Sequence, residues 1–191
     1  MPKHLDPEVE KRVLDAAQKL LRGGEKNLSI RALAKAARTN TPGIYRRFRN
    51  RNDILRAIMI RLEEELYQSL NLAESLEAAT ERYIDFALRH RKEYETWFAH
   101  QNELLRTARR GRPSTYKGPS FRWAETYLAK QLGGSPDKHA QLVLVIWSLF
   151  HGAAALLIAK AVPRELEEEA VSACRRTVGV LLEHAARIEG Q

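Results

Sequence analysis

A chain of 191 residues that is 44% hydrophobic and 29% charged has room for one large or two small packed domains, and is too apolar to be disordered throughout. Its single cysteine, Cys174, excludes an intrachain disulfide, and the polar start MPKHLDPEVE has no apolar run of the kind a secretory signal needs, so a cytoplasmic protein is expected. The net charge of +8 is unevenly spread: residues 1–55 hold 13 of the 32 Lys/Arg but only 6 of the 24 Asp/Glu, hence +7 of the total, which marks the first third as the part that faces a polyanion.

Asp6-Pro7 predicts a first helix, with Asp6 as N-cap and Pro7 at the first helical position, where its missing N–H costs nothing. Val9, Val13, Ala16, Ala17 and Leu20 recur at helical spacing and form its inner face, and Gly23-Gly24 ends it. Ser29 is the next N-cap, with Leu28 placed to pack on Leu33 as a hydrophobic staple. Ile30, Leu33, Ala34 and Ala37 form the buried side of a short second helix. After a turn at Arg38-Thr39, Asn40 or Thr41 caps a third helix, Thr41-Pro42 being the tidier reading. Ile44 and Phe48 face inward from it, leaving Thr41, Gly43, Tyr45, Arg46 and Arg47 largely outward.

Ala34, the Arg38 turn and Ile44 stand at the steps that a helix-turn-helix uses. A left-handed residue at such a turn is usually Gly, and a non-Gly residue costs roughly 1–2 kcal/mol. Either the turn differs slightly, or the strain is tolerated because the Arg38 guanidinium is useful at a phosphate. Asn50-x-x-Asp53 then caps a fourth, longer helix with Ile54, Leu55, Ile58, Leu62 and Leu66 on its inner side. Its N-terminus, flanked by Arg49 and Arg51, suits a phosphate, because free N–H groups and the helix dipole attract anions.

The stretch IRALAKAARTNTPGIYRRFRNRNDIL resembles the DNA-binding signature of the tetracycline-repressor (TetR) family. Ile30, Ala34, Ala37, Ile44, Tyr45, Phe48, Asp53 and Leu55 match its pattern, Asn40 stands for the capping Ser and Arg51 for a Lys, while Arg38 and Pro42-Gly43 depart from it. The match covers about the first third of the chain. It implies that the helix beginning near Asn40 enters a major groove, with Thr39, Thr41, Pro42, Gly43 and Arg46 at base edges. Pro42 and the Thr methyl groups suit a thymine methyl, and Arg46 suits guanine O6/N7. Ser29, Arg31, Tyr45, Arg49 and Arg51 form the phosphate set that sets register without reading sequence.

Helical periodicity continues with Leu76, Ala79, Tyr83 and Ala87, then with Tyr94, Trp97, Phe98, Gln101, Leu104 and Leu105, and no useful strand alternation appears. TARRGRPSTYKGPS, residues 107–120, reads as a mobile connection; its Arg110-Gly111-Arg112-Pro113 has the residues of an AT-hook core, and coincidence in an Arg-rich loop is the preferred account. Phe121 to Leu132 is again helical, Gly133-Gly134 ends it, and Ser135-Pro136 caps another helix. Ala140 to Ala159 is apolar nearly all round. A membrane span fits its length, but Gln141, Ser148 and His151 lie inside the run, so a helix buried between subunits is preferred. Pro163 starts a last helix with Leu166, Ala170, Cys174, Val178, Leu181, Ala185 and Ile188 on one stripe.

Those two apolar-striped helices predict a homodimer through a four-helix interface. WSLFHGAAALL also resembles the Trp-x-x-x-His-Gly segment of a C-terminal domain found in a subset of the same family, in which the last two long helices form the dimer and the intermediate ones enclose an effector pocket. Trp97, Phe98, Gln101, Phe121, Trp123, Trp147 and His151 are the candidates to line such a pocket for a small, largely apolar effector, although core packing accounts for each aromatic equally well. Cys174 reads as a buried small hydrophobe. The six His residues show no metal-ligand spacing, and no nucleophile-base constellation or phosphate-cradling Gly loop is present, so neither metal, cofactor nor enzyme is expected.

The expectation is therefore an all-α regulator, a helix-turn-helix domain over residues 6–52 and an effector-binding and dimerisation domain over 53–191, more in keeping with a repressor than an activator. It would bind a palindromic operator as a dimer. Two alternatives remain open: a constitutive or architectural DNA-binding protein without an effector, and a basic helical protein that binds a small molecule.

Overall fold

A computed structural model describes residues 7–108 and 117–190, with the side chains of residues 8–100 and 117–190. Helix is the regular secondary structure throughout these residues. In chain order the helices are α1 (Pro7–Arg22), α2 (Ile30–Ala36), α3 (Thr41–Tyr45), α4 (Arg51–Asn71) and α5 (Leu76–Arg89). There follow α6 (Arg91–Ala108), α7 (Pro119–Leu132), α8 (Ala140–Ile158), α9 (Glu167–Glu183) and α10 (Ala185–Ile188). They form two compact units, one holding α1 to α3, α4 as far as Leu62, and α6, the other holding the rest of α4, α5 and α7 to α10.

In the first unit, Val13, Ala17 and Leu21 of α1 are buried, as are Leu33 and Ala34 of α2, Ile44 of α3 and Ile54, Leu55 and Ile58 of α4. The inner stripe of α1 ends on Leu21 rather than the expected Leu20, which is half-buried. Four-residue steps advance a helix by slightly more than one turn, so a stripe through Val13 and Ala17 reaches Leu21 and leaves Leu20 at its edge. The expected N-cap Asp6 lies outside the described residues, as do the side chains of Leu104 and Leu105. α6 is fastened to α1 by charge: the Glu93 side chain, almost wholly buried, accepts a hydrogen bond from Arg22 Nε at 3.3 Å, and His90 Nδ1 lies 3.7 Å from the same oxygen. Burial acts to raise the pKa of Glu93, but its interactions with His90 and Arg22 outweigh it and hold the carboxyl below its usual range.

In the second unit, α5 packs against α8 and α9. Its buried residues include Leu76, Ala79, Tyr83, Ile84, Phe86 and Ala87 of α5, Leu142, Val143, Ile146, Phe150, Ala154 and Leu157 of α8, and Cys174 and Val178 of α9. Burial raises the pKa of the Cys174 thiol, as expected of a small core hydrophobe. The segment 136–158 is long and apolar enough to cross a membrane, with mean hydropathy 2.0, yet α8 spends one face on packing within the unit. Its other face leaves Leu144, Val145 and Leu156 exposed, and α9 leaves Val180 exposed.

The last segment is not one helix. A 3-10 turn, Arg164–Leu166, precedes α9, and the chain breaks at His184 before α10. Three residues per 3-10 turn do not continue an α-helical stripe, so Leu166, expected inside, is exposed. Ser135 precedes a second 3-10 turn, Pro136–His139, without a side-chain capping bond. His139 pins the C-terminal end: Nδ1 lies 2.7 Å from Glu189 Oε1, and Nε2 donates to Gly133 O at 2.8 Å.

Candidate functional site

Ser29 Oγ caps α2 by accepting from Ala32 N–H at 3.2 Å. The helix closes with a Schellman motif, in which Thr39 N–H donates to Ala34 O and Arg38 N–H to Lys35 O. Arg38 takes the left-handed position at φ 51°, the conformation that its place in the turn demanded. Asn40, rather than Thr41, is the cap of α3: its Oδ1 accepts from Gly43 N–H at 2.8 Å. Gly43 is buried rather than outward, because a Cβ there would meet Thr39 Oγ1 at 2.6 Å and Asn40 Oδ1 at 3.0 Å. The absence of a side chain lets the capping loop close over the helix. Arg47 is half-buried, and its guanidinium donates to Gly43 O at 3.2 Å.

Arg31, Arg38, Asn40, Pro42, Tyr45, Arg46 and Arg49 are exposed, Thr39 and Thr41 half-buried. No carboxylate occurs between Glu25 and Asp53, whereas eight Lys/Arg do. Lys26 and Lys35, both exposed, extend this cationic surface and were not singled out by motif matching. Tyr45, 52% exposed, is not a core aromatic, since Ile44 and Phe48 fill the inner stripe. The start of α4 is doubly capped: Asn50 Oδ1 accepts from Asp53 N–H at 2.9 Å, and Asp53 Oδ2 accepts from Arg49 N–H at 3.1 Å.

Arg51 is placed differently from its neighbours. Its guanidinium donates to Leu28 O at 3.1 Å, to Glu25 O at 3.2 Å and to Glu25 Oε1 at 2.8 Å. His100 Nε2 of α6 sits 2.9 and 3.0 Å from the two Glu25 oxygens. Burial acts to raise the Glu25 pKa; the hydrogen bonds from His100 and Arg51 overcome it and lower the net value. One carboxylate thus ties the loop before α2, the first residue of α4 and α6 together.

In the second unit, an open cleft of about 460 Å³ lies between the end of α4 and one face of α7. α4 supplies Tyr67 and Asn71, one turn apart. α7 supplies Arg122, Trp123, Thr126, Tyr127 and Lys130, at the spacing of a single helix face, with Pro119 at its start. The Trp123 and Tyr127 rings are 5.6 Å apart, and Tyr127 OH donates to Glu74 O at 3.4 Å. The neighbouring face of α7 is held by Lys117, which reaches Glu125 and Asp137 and lies 5.4 Å above the Phe121 ring.

A model of the bacterial tetR family of regulatory proteins matches residues 13–58, and one of the tetracyclin repressor-like C-terminal domain matches residues 76–181, more than half of the chain. The chain belongs to the TetR family. Solved structures agree with this TetR fold. A protein of unknown function from Rhodococcus sp. RHA1 is 22% identical with a TM-score of 0.64, covering 93% of this chain and 95% of that one. A tetR-family transcriptional regulator from Streptomyces coelicolor is 18% identical with a TM-score of 0.63, covering 97% and 99%. The multidrug binding protein EbrR, complexed with imidazole, is 21% identical with a TM-score of 0.57, covering 92% and 93%. No curated protein matches the chain.

Of the residues expected to line a pocket in this TetR protein, Trp123 lies on the α7 cleft. Trp147 instead donates from Nε1 to Tyr83 OH at 3.1 Å and stacks obliquely on His151 at 5.9 Å, whose pKa burial lowers. Trp97 and Phe98 stack on each other in the first unit, 5.8 Å apart. Phe121 lies under Lys117, while the Gln101 side chain and the Arg110-Pro113 motif lie outside the described residues. Tyr67, Arg122, Tyr127 and Lys130 were missed, though the last three share the helical spacing of Trp123. Among the described residues no cluster of His, Cys, Asp and Glu suits a metal ion.

Proposed function

We propose that this TetR-family protein is a ligand-responsive transcriptional regulator, a repressor that acts in the cytoplasm as a homodimer on a palindromic operator. The observation that carries the reading is the surface around α3, where a capped helix-turn-helix lies in a run of eight cations without a carboxylate. Thr39, Thr41, Pro42 and Arg46 are assigned to base edges, with Gly43 letting the capping loop that carries Thr39 close over α3. Ser29, Arg31, Arg38, Tyr45 and Arg49 are assigned to phosphates, Asn40 to holding the helix, and Arg51 to clamping α4. Residues 6–52 serve as the DNA-binding segment and 53–191 as the effector-binding and dimerisation segment.

Dimerisation through α8 and α9 is supported by the exposure of Leu144, Val145, Leu156 and Val180 on these two helices, an apolar face that soluble monomers seldom leave uncovered. A twofold dimer sets half-sites about 34–36 Å apart, or a multiple of that. The cleft beside Trp123 favours an effector over constitutive binding, and the two sites together favour a regulator over an enzyme. The test is footprinting of the DNA flanking the gene, followed by affinity against salt: a protected palindrome whose affinity falls steeply with salt is expected. Affinity that hardly changes between low and physiological salt would refute the assignment.

A further inference from the structure

We propose that the cleft between the end of α4 and α7 is a binding site for a planar aromatic anion, an aromatic carboxylate being the simplest example, with its ring against Trp123 and Tyr127 and its charge toward Arg122 and Lys130. As a binding site this stands on the geometry of the cleft; as an effector site it rests on the proposed regulator function. The first consideration is what the lining contains. Three aromatic side chains, Tyr67, Trp123 and Tyr127, share it with two cations and no carboxylate. Its volume of about 460 Å³ falls in the range of small-ligand pockets, ~300–1,000 Å³.

The second consideration is the disposition of those groups on one helix face. Arg122, Thr126 and Lys130 follow one another at four-residue steps, and Trp123 and Tyr127 do the same one position along. A polar row therefore runs beside an aromatic row, with consecutive members of each about 6 Å apart along the helix axis. A ligand with a flat apolar body and one charged edge satisfies both rows at once. The Arg fork pairs with both oxygens of a carboxylate, which a lone ammonium does not do. A cationic aromatic would face two like charges, and a purely aliphatic ligand would give neither cation a charge to pair with.

The third is the identity of the competitor for Arg122. Glu63 of α4 interacts electrostatically with Arg122, and burial of Glu63 raises its pKa and so disfavours its charged form. Gly118, just before α7, leaves the space that the Glu63 carboxyl occupies. An anionic ligand thus competes with a carboxylate that is itself poorly solvated. Removing that charge should favour the ligand.

Isothermal titration of the 191-residue chain with 2-naphthoate, 2-naphthylmethanol and 2-naphthylmethylammonium tests the site. Naphthoate should bind at least about tenfold tighter than the alcohol, as one charge-assisted hydrogen bond would give, and the ammonium should not bind. Arg122→Gln and Lys130→Gln, both at exposed positions, should weaken naphthoate while leaving the melting temperature unchanged, and Glu63→Gln should tighten it. Equal affinity for the three probes, no binding of naphthoate at millimolar concentration, or indifference to Arg122→Gln would overturn the proposal. Operator release is scored separately. Naphthoate binding that leaves operator affinity unchanged upholds the site and removes its effector role, whereas release by another compound that Arg122→Gln does not affect upholds the regulator and places its effector elsewhere than this cleft.

Discussion

Arg51→Ala separates two roles that a sequence motif cannot tell apart. If Arg51 holds a phosphate, its loss weakens binding to every duplex alike and lowers the salt slope by about one unit, with little effect on folding. The structure instead gives its guanidinium three acceptors, at 2.8, 3.1 and 3.2 Å, all within the loop before α2. A hydrogen bond from a charged group contributes roughly 1.5–3 kcal/mol. The Arg51 and Glu25 side chains are 34% and 33% exposed, so solvent screens the pair; the whole cluster is then worth about 2 kcal/mol, near the bottom of that range for a single bond. In a chain of this size, such a loss lowers the melting temperature by about 4–8 °C. Arg51→Lys should recover less than half of it, because one ammonium cannot span the carbonyls and the carboxylate together. Thermal melts of both variants, with fluorescence anisotropy of a duplex across a salt series, give the answer. An unchanged melting temperature together with a reduced salt slope would refute the clamp and return Arg51 to the phosphate set.

Arg38→Gly should stabilise the fold by about 1 kcal/mol, since relief of left-handed strain, roughly 1–2 kcal/mol, exceeds the added freedom of the unfolded chain, while DNA affinity falls; a melt and a binding curve on the same variant check both signs. Asn40→Ala should cost about 1 kcal/mol by removing the cap of α3, and weaken operator binding more than it lowers stability. Leu156→Glu or Val180→Glu should turn a dimer into a monomer or aggregate by light scattering, and a monomeric parent protein at micromolar concentration would overturn the interface. The pKa values of Glu25 and Glu93 are lowered on folding, so the unfolded chain takes up their protons first; the stability they provide is complete above the usual carboxylate range and is lost as pH falls through their folded values. Glu93→Gln should therefore flatten the acid limb of stability against pH, measured by melts through the acid range, and an acid limb as steep as the parent's would count against the cluster.

The features legible in the sequence were local. The caps at Ser29 and at Asn50-x-x-Asp53 lie within three residues of the groups they bind, and the left-handed turn at Arg38 follows from spacing to Ala34 and Ile44. The inner stripes of α2, α4 and α5 follow from helical periodicity. Contacts between residues distant in the chain were not legible. Arg51 meets Glu25 across 26 residues and Glu25 meets His100 across 75, and no periodicity relates them. The burial of Gly43 escaped for a different reason: periodicity reports where a side chain points, and this residue has none. The cleft combines both cases, since the face carrying Arg122, Trp123 and Tyr127 was visible in the spacing, but its partners Tyr67 and Asn71 lie on another helix.

α4 is the element on which a regulatory reading turns. It is one continuous helix, with its first turn fixed by the Asn50 and Asp53 caps and by the Arg51 clamp, and with Tyr67 and Asn71 near its end lining the cleft. A helix frays from an uncapped end, and a displacement applied far from that end is then absorbed as lost hydrogen bonds. Fixing the first turn closes that route at the Arg51 end of the helix. A coupling of about 1–3 kcal/mol, enough to change affinity roughly 5–150-fold, is comparable to the clamp energy of about 2 kcal/mol argued from charge-assisted hydrogen bonds. If that clamp transmits the effector signal, Arg51→Ala should uncouple ligand binding from DNA release even when the protein is held well below its melting temperature. If the clamp is only structural, the ligand should shift operator affinity by the same factor in the variant as in the parent.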